Sequence, residues 1–143
     1  LAKSLADRAA LDLTAHASAV WPVDFLCSSS IVAERLCEIG LVFAVNARRV
    51  LEMKSLNAEM GKTLWEYKDE LRPTSASLKD ALNGIIHSRS LRVNYARYAR
   101  SPFSDQEGWS ATHFIFTTDR YPETFVPIYG LAHSYLKLLS ERT

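Results

Sequence analysis

Asp80, Asn83 and His87 are the residues of this chain best placed to do chemistry together. They lie three and four positions apart in Leu78-Lys-Asp-Ala-Leu-Asn-Gly-Ile-Ile-His87, a spacing that sets their polar ends on one helix face while Leu78, Leu82, Ile85 and Ile86 supply apolar packing. An imidazole that titrates near neutrality can take the proton of a ribose 2′-hydroxyl or return one to a leaving oxygen. In that chemistry Asn83 orients the ring, and Arg89 or Lys79 stabilises the charge developing on a phosphate. A plainer reading competes: Asp80 and Asn83 hold His87 as a hydrogen-bonded helix residue, because buried polar groups need partners.

Four cations follow the histidine. Arg89, Arg92, Arg97 and Arg100 lie in a stretch with no acidic residue between Gly84 and Ser104, and Tyr95 and Tyr98 are interleaved with them. Guanidinium groups for phosphates and aromatic faces for bases are the makings of a nucleic-acid surface. The segment alternates, however. In a strand, Arg92, Asn94, Ala96 and Tyr98 share one face, and Leu91, Val93, Tyr95 and Arg97 share the other with Arg89, so the arginines are split. A solvated strand with a few ion pairs accounts for them more simply.

These residues depend on the elements that carry them. Leu5, Ala9, Leu13 and Ala17, at steps of four, predict an amphipathic helix from Leu1 to Val20, ended by Trp21-Pro22. Ser28 to Ser30 can cap a second, longer helix in which Val32, Leu36, Ile39, Phe43, Val50 and Met53 follow the three-four rhythm. A shorter helix is expected over Lys62 to Leu71, stopped by Arg72-Pro73. Ser75 or Ser77 then caps the His87 helix. Gly84 inside it costs about 1 kcal/mol relative to alanine, so either a neighbouring group approaches closely or two helices cross tightly there.

Beyond His87 the period changes to two. Leu91, Val93 and Tyr95 alternate with Arg92, Asn94 and Ala96, and Thr112, Phe114 and Phe116 alternate with His113, Ile115 and Thr117, which predicts two strands around a loop from Ser101 to Gly108. A turn over Thr118 to Glu123 leads to a third strand, Thr124 to Tyr129, and a closing helix, Leu131 to Leu139. The expected fold is mainly α: a helical bundle with a small antiparallel β-sheet near the C-terminus, forming a single domain over residues 1–143.

Composition agrees with one globular unit. The chain has 143 residues, 48% hydrophobic and 23% charged, enough to bury a core. A net charge of +1 gives no overall steering toward nucleic acid or membrane, so any such preference comes from clustering. The longest apolar run, around Ile39 to Val45, falls far short of the roughly 20 residues of a membrane span, and the amino end lacks a signal-peptide pattern. Its first residue is Leu rather than Met, which leaves a preceding segment open. Cys27 and Cys37 have neither zinc nor redox spacing and read as buried free thiols in a reducing, cytoplasmic setting. No histidine pair has metal-ligand spacing, and no glycine-rich phosphate loop is present; neither metal nor cofactor is expected. Trp65 and Trp109 are candidate dimer anchors.

The order of motifs, Asn46-Ala-Arg-Arg-Val-Leu-Glu52 on a long helix and then Asn83-x-Ile-Ile-His87 on a later one, resembles the HEPN superfamily of small prokaryotic helical domains over roughly Ile31 to Leu91. The resemblance implies a four- or five-helix up-and-down bundle, homodimerisation, and a role in toxin-antitoxin, phage-defence or RNA-processing systems. In catalytic members an arginine precedes a histidine with four to six residues between them, and two protomers join to cut RNA. Here Asp80, Ala81 and Leu82 occupy those positions, and the nearest upstream cation is Lys79. Lysine lacks the planar fork that grips a phosphate. The resemblance therefore implies the fold more than the reaction. The expected function is an RNA-binding or protein-interaction module, homodimeric and with RNA or a cognate protein as partner; the alternative is a metal-independent endoribonuclease.

Overall fold

The computed structural model describes residues 1–21, 29–57, 77–98, 108–120 and 123–141. In chain order these form α1 (Ala2–Ser18), α2 (Ser29–Lys54), α3 (Leu78–Ile86), β1 (Ser90–Tyr98), β2 (Gly108–Thr117), β3 (Thr124–Pro127) and α4 (Ile128–Glu141). The architecture is mainly helical with a three-stranded antiparallel sheet, β1-β2-β3, toward the C-terminal half. The helix expected over Lys62 to Leu71 lies outside the described residues, as does Ser28.

The first helix is built to pack closely. Ala6, Ala9, Ala10, Leu13 and Ala17 form its buried face, and small side chains let α1 approach α2. On α2, Leu36, Ile39, Phe43, Ala44, Ala47, Val50 and Leu51 are buried. Met53, expected on that face, is instead 76% exposed: by the end of the helix its position has rotated out of the buried sector. A Schellman motif closes α2. Ser55 takes the left-handed region at φ 54°, its N–H reaches the Glu52 carbonyl at 3.2 Å, and the Leu56 N–H reaches the Leu51 carbonyl at 2.9 Å.

The sheet is part of the core. Ala111, Phe114, Phe116 and Val126 face the helices and join one cluster with residues of all four, and Leu91, Val93 and Tyr95 of β1 pack against it. A bulge interrupts the β1–β2 ladder: Asn94 pairs with His113 and Tyr95 with Ala111, leaving Thr112 as the extra residue. Its hydroxyl accepts from Asn94 Nδ2 at 2.9 Å and donates to the Asn94 carbonyl at 3.1 Å. Strand β3 ends two residues sooner than its composition suggests, because Pro127 has no N–H to continue a ladder, and Ile128 opens α4. The up-and-down bundle implied by the HEPN resemblance leaves out this sheet, whose phenylalanines are central to the packing seen here.

Glycine makes room for those rings. A Cβ on Gly40 would stand 2.6 Å from Phe114 Cζ, and one on Gly84 would lie no more than 2.8 Å from Cε1, Cζ and Cε2 of Phe116. The close approach at Gly84 is therefore that of an aromatic ring from β2. On the far side of the core, Tyr135 of α4 meets Phe43 edge-on at 5.3 Å and donates its hydroxyl to Asp7 Oδ1 at 3.2 Å, tying α4 to α1. Burial, reinforced by Asp7, holds the Tyr135 phenol far above its ordinary range.

Candidate functional site

The His87 segment is positioned by its caps. Ser77 begins α3 with an extended backbone, and its hydroxyl accepts the Asp80 N–H at 3.1 Å, satisfying one otherwise unpaired donor of the first turn. The far end falls one residue short of expectation. Helix α3 stops at Ile86, and His87 is the C-cap, at φ −97° and ψ 13°, its N–H bonded to the Asn83 carbonyl at 2.9 Å. Ser88 then donates its hydroxyl to the Ile85 carbonyl at 2.8 Å, and the Arg89 N–H reaches the Thr117 carbonyl at 2.8 Å, turning the chain into β1.

His87 and Asp80 are exposed and Asn83 is half-buried. No side-chain hydrogen bond or ion pair joins these three. Asn83 Oδ1 is buried with no hydrogen-bond partner, so the orienting contact expected from Asn83 to the imidazole is absent; the two residues are linked through the backbone instead. The simpler expectation, a histidine held by Asp80 and Asn83, is equally unmet: His87 keeps the helical bond from its N–H to the Asn83 carbonyl, but no side-chain hydrogen bond joins it to either residue.

Each described arginine of the cationic run has its own setting. Arg89 pairs with Asp119, and Arg92 pairs with Glu123 at 2.8 Å. Arg92 shares the outer sheet face with Asn94 and Ala96, while Arg97 stands opposite Trp109 on the alternate register. Arg100 lies outside the described residues. The structure thus brings Arg89 and Arg92 to the acidic turn between β2 and β3 rather than to a shared cationic surface. Trp109 exchanges backbone hydrogen bonds with Trp21 at 2.7 and 2.9 Å, an intramolecular clasp between the end of α1 and β2. Trp65 and Cys27 lie outside the described residues.

Buried polar groups elsewhere read as structural. His113 is 2% exposed, on the sheet face opposite Phe114 and Phe116, with its ring edge-on to Phe125 at 6.1 Å. Burial pushes its pKa down to about 4, keeping the imidazole neutral. Cys37 is a free thiol, half-buried 3.7 Å from the Leu91 carbonyl, and burial raises its pKa, which makes it a poor nucleophile. Among the described residues no group of three or more His, Cys, Asp or Glu is placed to hold a metal ion, and no helix is long and apolar enough to cross a membrane.

The feature that periodicity missed is the outer face of α2. Leu41, Val42 and Val45 are 41%, 45% and 53% exposed at the middle of the longest helix. The sequence signal was present in Ile39 to Val45, where apolar residues run all round the helix and so cannot all face one core. Charge flanks the patch in a definite order, with Arg35 and Glu38 before it and Arg48, Arg49 and Glu52 after it. Arg35 pairs with Glu38 at 3.4 Å and Arg48 with Glu52 at 3.1 Å, whereas Arg49 makes no ion pair among the described residues. Near the C-terminal end of the patch, Leu1, Leu5, Asn46, Arg49, Val50 and Met53 help line a shallow groove of about 580 Å³ between α1 and α2.

No protein-family model, curated protein or solved structure matches this chain.

Proposed function

We propose that this domain is a protein-interaction module that docks its partner on the exposed face of α2. The observation that carries this reading is the Leu41, Val42 and Val45 patch, an apolar surface rimmed by charge on a rigid helix. Val42→Asp with Val45→Asp is expected to leave the far-UV circular dichroism and melting temperature intact while removing partner binding. Salt-sensitive RNA binding that survives this change and disappears on Arg92→Ala with Arg97→Ala would overturn the reading in favour of an RNA-binding module.

A second reading rests on the exposed imidazole of His87, two residues before Arg89. On it the domain is a metal-independent endoribonuclease of the toxin or phage-defence type to which the HEPN resemblance points, with His87 moving the proton and Arg89 or Lys79 facing the phosphate. Cleavage of a structured RNA in the presence of a chelator, abolished by His87→Ala without a fall in melting temperature, would establish it. Intact RNA under those conditions would dismiss it.

A further inference from the structure

We infer that the occupant of the α2 face is a second copy of this chain, docked antiparallel across a two-fold axis that passes between Val42 and Val45. The inference rests on the interaction reading above and specifies its partner. Its basis is the order of residues along the helix. Ile31, Arg35, Glu38, Val42, Val45, Arg49 and Glu52 are all exposed and recur at alternating steps of four and three, the seam spacing of paired helices. A two-fold axis makes an interface self-complementary, so every contact appears twice. Centred between Val42 and Val45, it sets Val42 against Val45 of the copy, Glu38 against Arg49 of the copy, and Arg35 against Glu52 of the copy.

Both charged contacts are between opposite signs, although nothing in the buried half of α2 requires that order. Parallel pairing of the same seam would oppose Arg35 to Arg35, Glu38 to Glu38 and Arg49 to Arg49, and like charges at an interface are strongly disfavoured. The charge pattern therefore selects a second copy and an antiparallel orientation together. Little has to be undone in the monomer. The Arg35–Glu38 and Arg48–Glu52 pairs are exposed, and such pairs contribute little, so their members can also serve the copy. Arg49, without an ionic partner of its own among the described residues, supplies the guanidinium for Glu38 of the copy. Leu41 flanks the seam and widens its apolar centre.

Sedimentation velocity over a concentration series tests this with charge reversals on exposed positions, which spare the fold. Wild type is expected to dimerise at micromolar concentration. Glu38→Arg alone and Arg49→Glu alone each create two like-charge contacts per dimer and are expected to weaken self-association by about 10-fold or more. An equimolar mixture of these two variants is expected to recover the dimer, because both contacts in the mixed pair become Arg with Glu. Wild type that stays monomeric to high micromolar concentration, a dimer indifferent to both reversals, or a mixture that fails to recover would each overturn the inference. If wild type is monomeric yet binds a foreign protein that Val42→Asp with Val45→Asp releases, self-pairing falls and the interaction reading stands. If that double change affects no binding at all, both fall.

Discussion

Replacing Gly84 with alanine separates two effects of opposite sign. On an open helix surface the change favours folding, since alanine exceeds glycine in helix propensity by about 1 kcal/mol. Gly84 is not on an open surface. The added methyl would lie no more than 2.8 Å from three ring carbons of Phe116, against a comfortable carbon separation of about 3.5–4.0 Å. The ring must retreat by roughly 1 Å, and Phe116, 2% exposed in the core cluster, has little room to do so. Overpacking of this kind costs typically 1–3 kcal/mol or more. With strain at the upper end of that range, the net expectation is a loss of about 1–2 kcal/mol, which for a chain of this size lowers the melting temperature by roughly 3–6 °C. Thermal unfolding followed by far-UV circular dichroism reads the shift. The same substitution in a Phe116→Leu background, where the ring is gone, is expected to be neutral or stabilising, and the difference between backgrounds measures the clash. A Gly84→Ala protein that melts higher than wild type, or a loss equal in both backgrounds, would refute the reasoning.

Two further outcomes follow from single residues. Ser55 is exposed and holds a left-handed backbone at the end of α2, so Ser55→Gly is expected to stabilise by about 1 kcal/mol, seen as a higher urea midpoint at unchanged slope. His113 is held neutral by burial, its pKa lowered from 6.5 to about 4. The unfolded chain then binds the proton first, so stability is full above pH 6.5 and is lost as pH falls toward 4, by on the order of 3 kcal/mol in all. Burial lowers the His16 pKa as well and adds a loss of the same sign. Comparing wild type with His113→Gln between pH 7 and 5 isolates the His113 share as a shallower slope; identical slopes would show that this imidazole is not shielded from solvent.

Most of the described elements were legible in the sequence, and for local reasons. The alanines and leucines of α1, the Ser77 cap and the alternation in β1 and β2 each act within a few residues, so their readout requires no knowledge of the rest of the chain. Gly84 announced a close approach without naming the group, because the ring that fills the space comes from Phe116, on another element.

The candidate sites show the same division. Residue spacing was enough to identify His87, Asn83 and the arginines as chemically capable, and to show that alternation splits the arginines between faces. It did not determine where those groups point. His87, the C-cap of α3, stands exposed with no side-chain hydrogen bond to Asp80 or Asn83, and the return of the chain through the β2–β3 turn supplies Asp119 to Arg89, with Glu123, just before β3, meeting Arg92. Likewise the apolar run from Ile39 to Val45 was visible, but which half of it is buried depends on where α1, α3 and the sheet pack around α2. Local pattern determines the elements because backbone and side-chain preferences are short-ranged; exposure and ion pairing are decided only when residues distant in sequence compete for the same faces.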